Sequence, residues 1–396
     1  MRCKLLRCCF GQPGVLIQSV TFVASSSSVF IVRPIRLQSV GFTCWGPLLA
    51  GALLLSACSG NGGSEAATAV PLPTGHYEGP ISYQGTELRV ALELREQPAG
   101  QLRAAVSFPQ VPGLEFDAIT ARYRAPQLVL EQQPGQAGSL TIQAVREGDF
   151  LRGVLSWDSV KTEFVWVRRG EAAAPGYRET TLPVAGQRLR LLLPDDTLAR
   201  HPALALLMPP AATAAATSRA TYLARHGIVT LLVPVLAPEQ PNDPTDSLAL
   251  QVPVAALAGL RHQAAVDSGQ VGYWGRGPAA RQVAAAATRL PHPNFVVLEA
   301  ASATTREQAQ PYQILNQLRI PALIYYAGLD TTVQAAASAR RLRSALGYRR
   351  GTQIRVIPQV TADFLKPART GPDGQWQWPQ PAPEYWTGLV DWLKER

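Results

Sequence analysis

The hydrophobic pattern changes period once along the chain, and that change limits what the chain can fold into. From residue 75 to residue 169 the pattern has period two. Leu88, Val90, Leu92 and Leu94 alternate with Arg89, Ala91, Glu93 and Arg95. Gln97-Pro98-Ala99-Gly100 then supplies a turn before 102–108 returns. Segments 127–131, 140–145, 151–157 and 164–168 read as further short strands. Period-two segments separated by turn residues build antiparallel sheets, so 75–169 is expected to form a small antiparallel β-sandwich or barrel. The Gly/Ala/Pro-rich stretch 170–177 reads as a linker.

Beyond the linker, short apolar runs alternate with helical patterns. Strands are expected at 189–193, 203–208, 228–235, 271–275, 295–298, 322–326 and 353–357. Helices are expected at 211–226, 247–262 (with Pro253 kinking it or starting it late), 279–289, 333–345 and 384–393. Apolar strands alternating with helices predict an α/β unit over 178–396, a mostly parallel sheet with helices on both faces.

The scarce residues are unevenly placed. All five cysteines (Cys3, Cys8, Cys9, Cys44, Cys58) fall within the first 58 residues. The twelve residues 46–57 are too few to cross a bilayer but fit the apolar region of a signal peptide, with Arg33 and Arg36 as its basic flank. Leu55-Ser56-Ala57-Cys58 resembles a bacterial lipobox, in which the cysteine is lipidated and becomes the mature N-terminus. The plainer alternative is a secretory signal cut after Ala57. Residues 1–57 are therefore expected to be a targeting segment, with 1–31 an extension ahead of a translation start near Val32. Residues 58–74, rich in Gly, Ser, Ala and Pro, read as a flexible tether. The expected location is the bacterial cell envelope, facing the periplasm or the cell surface, with the membrane as partner through the lipid at Cys58.

Charge and cysteine content change once that segment is set aside. The whole chain carries a net charge of +9, but without 1–57 it has 32 basic against 28 acidic residues, a net of +4. Only four residues are lysine, and no basic stripe is interleaved with aromatics, so nucleic acid is not an expected partner. Cys58 alone remains, which leaves no disulfide, no cysteine nucleophile and no thiolate metal site. The histidines (His76, His201, His226, His262, His292) have no ligand spacing, so neither a metal nor another cofactor is expected.

Three stretches carry a family resemblance: Val271-Gly272-Tyr273-Trp274-Gly275-Arg276-Gly277-Pro278-Ala279-Ala280, the run from Ile320 to Asp330, and Tyr385-Trp386 to Trp392-Leu393. With them, residues 180–396 and more weakly 75–169 resemble the α/β-hydrolase superfamily. The likeness is greatest to two-domain bacterial serine esterases and peptidase-like hydrolases with a β-rich N-terminal module. The resemblance implies an α/β-hydrolase-like sheet and a catalytic order of serine, acid and histidine. It also implies a serine on the strained turn between a strand and a helix.

The residues at those places depart from the pattern. Gly277 occupies the nucleophile position and brings no oxygen. Asp330 matches the acid position; without a histidine it either keeps that role or caps the following helix. Asp363 falls where the histidine belongs, and no histidine follows His292. The family's glycine-rich oxyanion turn reads Met208-Pro209-Pro210-Ala211-Ala212, where Pro209 and Pro210 have no N–H to donate. Ser268, near Asp267 and His262, reads as part of a polar turn before the elbow strand, at the wrong end for catalysis. Trp376 and Trp378 lie in an unusual loop near the expected site mouth. Exposed, they would stack on a ligand; the plainer expectation is that they tack the loop down.

Three functions remain open at this point. The leading expectation is an envelope lipoprotein that has lost its triad and binds a small-molecule, peptide or glycan ligand, or acts as a scaffold. The second is an active carboxylic-ester or peptide hydrolase with an atypical arrangement. The third places the working part in the β-rich domain. The sequence leaves the oligomeric state open.

Overall fold

The computed structural model describes residues 71–98, 100–136, 138–235, 247–347 and 351–396. The expected signal segment, Cys58 and most of the tether lie outside the described residues.

The alternating segments form one nine-stranded antiparallel sheet. Its strands are β1 (Gly75–Tyr83), β2 (Thr86–Gln97), β3 (Gln101–Ser107), β4 (Glu115–Asp117), β5 (Thr120–Arg124), β6 (Gln127–Glu131), β7 (Thr141–Glu147), β8 (Phe150–Trp157) and β9 (Val160–Gly170). The spatial order is β4-β3-β2-β1-β9-β8-β7-β6-β5. Consecutive strands are neighbours everywhere except at β4 and β5, and β1 pairs with β9, His76 opposite Gly170. The sheet therefore curls into a half-barrel with a seam between β4 and β5. Alternate side chains such as Tyr77, Leu92, Leu130, Ile142 and Trp166 fill its interior. Gly79 lets the wall close over Trp166: a Cβ there would lie 2.5 Å from the indole ring.

The second sheet has eight strands: β10 (Tyr177–Val184), β11 (Gln187–Pro194), β12 (His201–Met208), β13 (Val229–Pro234), β14 (Val266–Arg276), β15 (Phe295–Glu299), β16 (Ala322–Ala327) and β17 (Gln353–Ile357). Their order is β10-β11-β13-β12-β14-β15-β16-β17. β10 and β11 form an antiparallel pair, β11 runs antiparallel to β13, and all pairings from β13 to β17 are parallel. Among the described residues seven α-helices accompany them: α1 (Thr213–Arg225), α2 (Ser247–Arg261), α3 (Pro278–Ala286), the short α4 (Arg306–Ala309) and α5 (Gln313–Gln317), α6 (Ala335–Leu346) and α7 (Pro383–Lys394).

Strand alternation divides the core in two. Leu204 and Leu206 of β12 join α1 and α7 on one face, while Ala203, Ala205 and Leu207 join α2, α3 and α6 on the other. Burial on both faces explains why these strands read as continuous apolar runs. β12 has β13 on one side and β14 on the other, so the chain reverses its winding there. Such a reversal opens a crevice beyond the carboxyl ends of β12 and β14, where open α/β sheets bind ligands.

The structure corrects two local expectations and adds an edge strand. The stretch between β9, which ends at Gly170, and β10, which starts at Tyr177, carries no strand or helix. α2 runs through Pro253 rather than starting after it. Ser268 is not in a turn before the strand: β14 starts at Val266, and the exposed Ser268 sits at its amino end, opposite the elbow.

Both sheets belong to one compact unit. Arg103 of β3 donates to Glu179 and to the Tyr177 hydroxyl of β10. Arg225 of α1 pairs with Glu115 and donates to the Pro175 carbonyl at 2.8 Å. Both guanidiniums lie near the Tyr177 ring centre, Arg103 at 5.7 Å and Arg225 at 5.6 Å. Gln133 of the half-barrel accepts the Ala214 N–H at the start of α1, at 2.9 Å.

Candidate functional site

β14 ends at Arg276 and α3 begins at Pro278, so the whole strand-to-helix turn falls on Gly277. Its backbone has φ 56° and ψ −121°, a conformation that side chains rarely adopt. The Gly277 N–H donates to the Glu299 carbonyl of β15 at 2.8 Å, and its carbonyl accepts the Ala280 N–H at 3.1 Å to open the helix. Close packing requires glycine two residues earlier: a Cβ on Gly275 would lie 2.7 Å from the Ala279 carbonyl oxygen. At Gly277 itself a Cβ would meet nothing within 4 Å among the described residues. The turn is as sharp as a nucleophile elbow and its apex faces open space, but the apex carries no side chain.

The other sequence-predicted residues separate into two groups. Asp330 follows β16 and is buried. Its Oδ1 accepts from the Thr332 N–H at 2.8 Å and the Thr332 hydroxyl at 2.6 Å. It caps no helix, because Gln334 holds the N-cap position of α6. Pro209 and Pro210 lead from β12 into a short 3-10 turn, closed by the Ala212 N–H on the Pro209 carbonyl at 2.8 Å. Asp363 lies on the loop after β17 and is drawn to the elbow. Its Oδ1 accepts from Arg276 Nη1 at 3.0 Å and lies 3.7 Å from Arg219 Nη1. Burial opposes its ionisation, but Arg276 and Arg219 outweigh that and hold the carboxyl below the usual carboxylate range.

Behind the elbow lies a buried polar cluster that sequence reasoning missed. Glu299, the last residue of β15, is fully buried. Its carboxylate accepts from Trp274 Nε1 at 2.7 Å, from the Tyr385 hydroxyl, and from Arg219 at 3.4 Å and 3.3 Å. Burial would weaken the Arg219 cation, but Glu299, Tyr385 and Asp363 outweigh that and keep it protonated. Burial also pushes the Tyr385 phenol well above its usual range, against the pull of Arg219, so it stays the donor. The Arg219 guanidinium lies 5.3 Å from the Tyr385 ring centre and 5.2 Å from that of Trp386. The only warning in the sequence was an arginine in the middle of the alanine-rich α1, ahead of the one that ends it, and a glutamate ending the apolar run Phe-Val-Val-Leu-Glu.

This arrangement has a limited chemical repertoire. A hydrolytic elbow needs an oxygen or sulfur nucleophile next to a base. Here the apex is bare, and Asp363, the carboxylate at the expected base position, is already paired with Arg276 and Arg219. Among the described residues no three His, Cys, Asp or Glu side chains gather as a metal site.

Trp376 and Trp378 are turned away from this crevice and into the half-barrel. Trp378 is 8% exposed within the barrel core, and Trp376 packs edge-on against Tyr83 with ring centres 4.8 Å apart. Both side chains thereby hold their loop against the half-barrel.

No family profile and no curated protein matches the chain. Among solved structures, it is similar to a cold-adapted esterase from an Arctic intertidal metagenomic library. The form in complex with polyethylene glycol is 13% identical with a TM-score of 0.38, covering 64% of this chain and 97% of that one. The zinc-bound form is 16% identical with a TM-score of 0.37, covering 56% and 93%. The native form is 14% identical with a TM-score of 0.37, covering 64% and 96%. A likeness this distant leaves the chemistry to be argued from the chain's own residues.

Proposed function

We propose that the chain is a non-catalytic binding protein on an α/β-hydrolase-like frame, held in the bacterial envelope by a lipid on Cys58. One observation carries the non-catalytic part. Gly277 keeps the strained backbone of a nucleophile elbow and an open apex, yet offers no atom that could attack a carbonyl. Two further features support it. Asp363, at the histidine position, is tied to Arg276, and Pro209-Pro210 cannot donate N–H groups to an oxyanion. Losing nucleophile and base together removes nearly all the rate enhancement of such a site.

The full chain should be treated with a fluorophosphonate probe and with short-chain p-nitrophenyl esters. The expected outcome is no covalent labelling and no ester turnover above that of heat-denatured protein. Labelling abolished by substituting one serine would overturn the proposal. For the anchor, Cys58→Ala should move the chain from the membrane fraction to the soluble fraction of cells producing it; retention in the membrane would reject the lipid.

A further inference from the structure

A cavity of about 550 Å³ lies where the seam of the half-barrel meets the mixed sheet. Its walls come from the β2–β3 hairpin, the β4–β5 corner, β10, β11 and the ends of β12 and β13 with the start of α1. Gly277, Asp330 and Asp363 do not line it. Exposure falls from rim to floor. Ile119 and Arg188 stand at the surface, Arg190 is partly covered, the Asp117 side chain is 10% exposed, and Thr217 and Leu232 are buried.

Two observations point to a ligand. The first is polar. Thr217, 3% exposed, has a hydroxyl without a hydrogen-bond partner, and Asp117 Oδ1 accepts no hydrogen bond although Arg103 Nη2 lies 3.5 Å away. Buried polar atoms are almost always satisfied, so the unpartnered Thr217 hydroxyl, beside an Asp117 oxygen held only by the ion pair to Arg103, calls for a partner from outside the chain. The second is charge. Glu179 is taken up by Arg190 at 2.8 Å and 3.2 Å and by Arg103, while Arg188 at the rim has no ion pair among the described residues. Three guanidiniums face two carboxylates, which leaves an anion-seeking rim. Leu102, Leu189, Met208 and Leu232 supply the apolar wall between rim and floor.

We propose that this cavity binds a small amphiphilic carboxylate bearing an amide, such as an acylated amino acid or the C-terminal end of a short peptide. The carboxylate sits on Arg188 and Arg190, the amide N–H donates to Asp117 Oδ1, the amide carbonyl accepts from Thr217, and the apolar side chain lies on the leucine wall. The inference rests on the reading of the chain as a binding protein, but it concerns a different place from the elbow.

Calorimetric titration of the full chain with N-acetyl-leucine, its methyl ester and inorganic phosphate tests it. The acid should bind at least about tenfold tighter than the ester, since only the acid can engage both rim guanidiniums, and its advantage should shrink as salt is added. Arg188→Gln should bring the acid down to the level of the ester. Thr217→Val should weaken both while leaving the melting temperature of the free protein unchanged or higher, because it removes an orphan. Equal binding of acid and ester, phosphate competing as well as the acid, indifference to Arg188→Gln, or no binding of any probe would each overturn the proposal. Fluorophosphonate labelling separates the two claims. A labelled protein that still binds N-acetyl-leucine loses the non-catalytic reading and keeps the site; an unlabelled protein that binds nothing does the reverse.

Discussion

Arg276 and Asp363 are joined at 3.0 Å across the elbow, one residue before the bare apex and in the place the resemblance gives to a catalytic base. The pair turns what would be a proton acceptor into half of an ion pair. Its pH signature follows from the depressed carboxyl of Asp363, where burial is outweighed by Arg276 and Arg219. A lowered folded-state pKa contributes stability above the ordinary value of 3.8 and loses it as pH falls through the lower folded value. Denaturant titrations between about pH 5 and pH 2 should show a shallower acid loss in Asp363→Asn than in the parent. Identical acid limbs would remove the pair from the account.

Glu299 and Arg219 are both 1% exposed, so neither charge can fall back on water. Glu299→Gln should cost about 3–5 kcal/mol, because it strands a buried guanidinium. Replacing both, as Arg219→Met with Glu299→Leu, should cost clearly less than the sum of the single changes. Urea unfolding of the three variants measures this, and strict additivity would contradict it.

The two elbow glycines should respond differently to the same substitution. Gly277→Ala should be destabilising by about 1–3 kcal/mol, from backbone strain alone, since its Cβ has room. Gly275→Ala should cost more or prevent folding, because its Cβ meets the Ala279 backbone at 2.7 Å. Equal costs would mean that packing at the elbow is looser than described.

His76 reports on the rim of the half-barrel. Burial lowers its basicity, but Glu78 at 2.9 Å and Glu93 at 2.6 Å outweigh that and raise its pKa above 6.5. A raised folded-state pKa gives stability that is complete below 6.5 and disappears as pH rises through the folded value. His76→Gln should flatten the stability profile over that interval, and an NMR titration of the imidazole should give a midpoint above 6.5. A midpoint at or below 6.5 would contradict the assignment.

Trp378 closes one end of the barrel core from a loop of the other sheet. Trp378→Ala should cost about 3–5 kcal/mol, as removal of a buried indole does elsewhere. Ester or ligand assays at the elbow should not respond beyond that loss of fold; a selective effect at full stability would return the residue to the site.

Much of the fold could be read from periodicity because burial is one-sided in the first sheet and two-sided in the second. Leu88 to Leu94 alternates because one face of β2 is barrel interior. β1 carries Gly79-Pro80, a pair that is poor for a strand. The structure tolerates it because the glycine makes room for Trp166 and the proline lies beyond the stretch paired with β9. β10 was hidden because Arg178, Glu179, Thr180 and Thr181 are exposed on an edge strand, so no alternation marks it.

The site was legible only where chain order carries it. Gly277 and Asp363 could be placed by their distance after strands that were visible in the sequence. Glu299 and Arg219 are 80 residues apart, one ending an apolar strand and the other inside an alanine-rich helix, and only the tertiary fold brings them together. The cavity was illegible for the same reason, since its charged residues come from β3, the β4–β5 corner and the β10–β11 hairpin.

The pairing of His76 with Gly170 also sets a load path. The chain arrives at the half-barrel and departs from it at one rim, so tension applied ahead of Gly75 reaches β9 directly instead of passing through the other strands in series. Pulled from the same rim, the hydrogen bonds between β1 and β9 would take the strain one after another, as in unzipping. The first to resist are side chains that hold the approaching segment: Arg146 on the Pro71 carbonyl at 3.3 Å, Tyr77 on that of Pro73 at 3.1 Å, and Arg168 on that of Thr74 at 3.1 Å. They form a strain relief at the point where a tethered protein would be tugged.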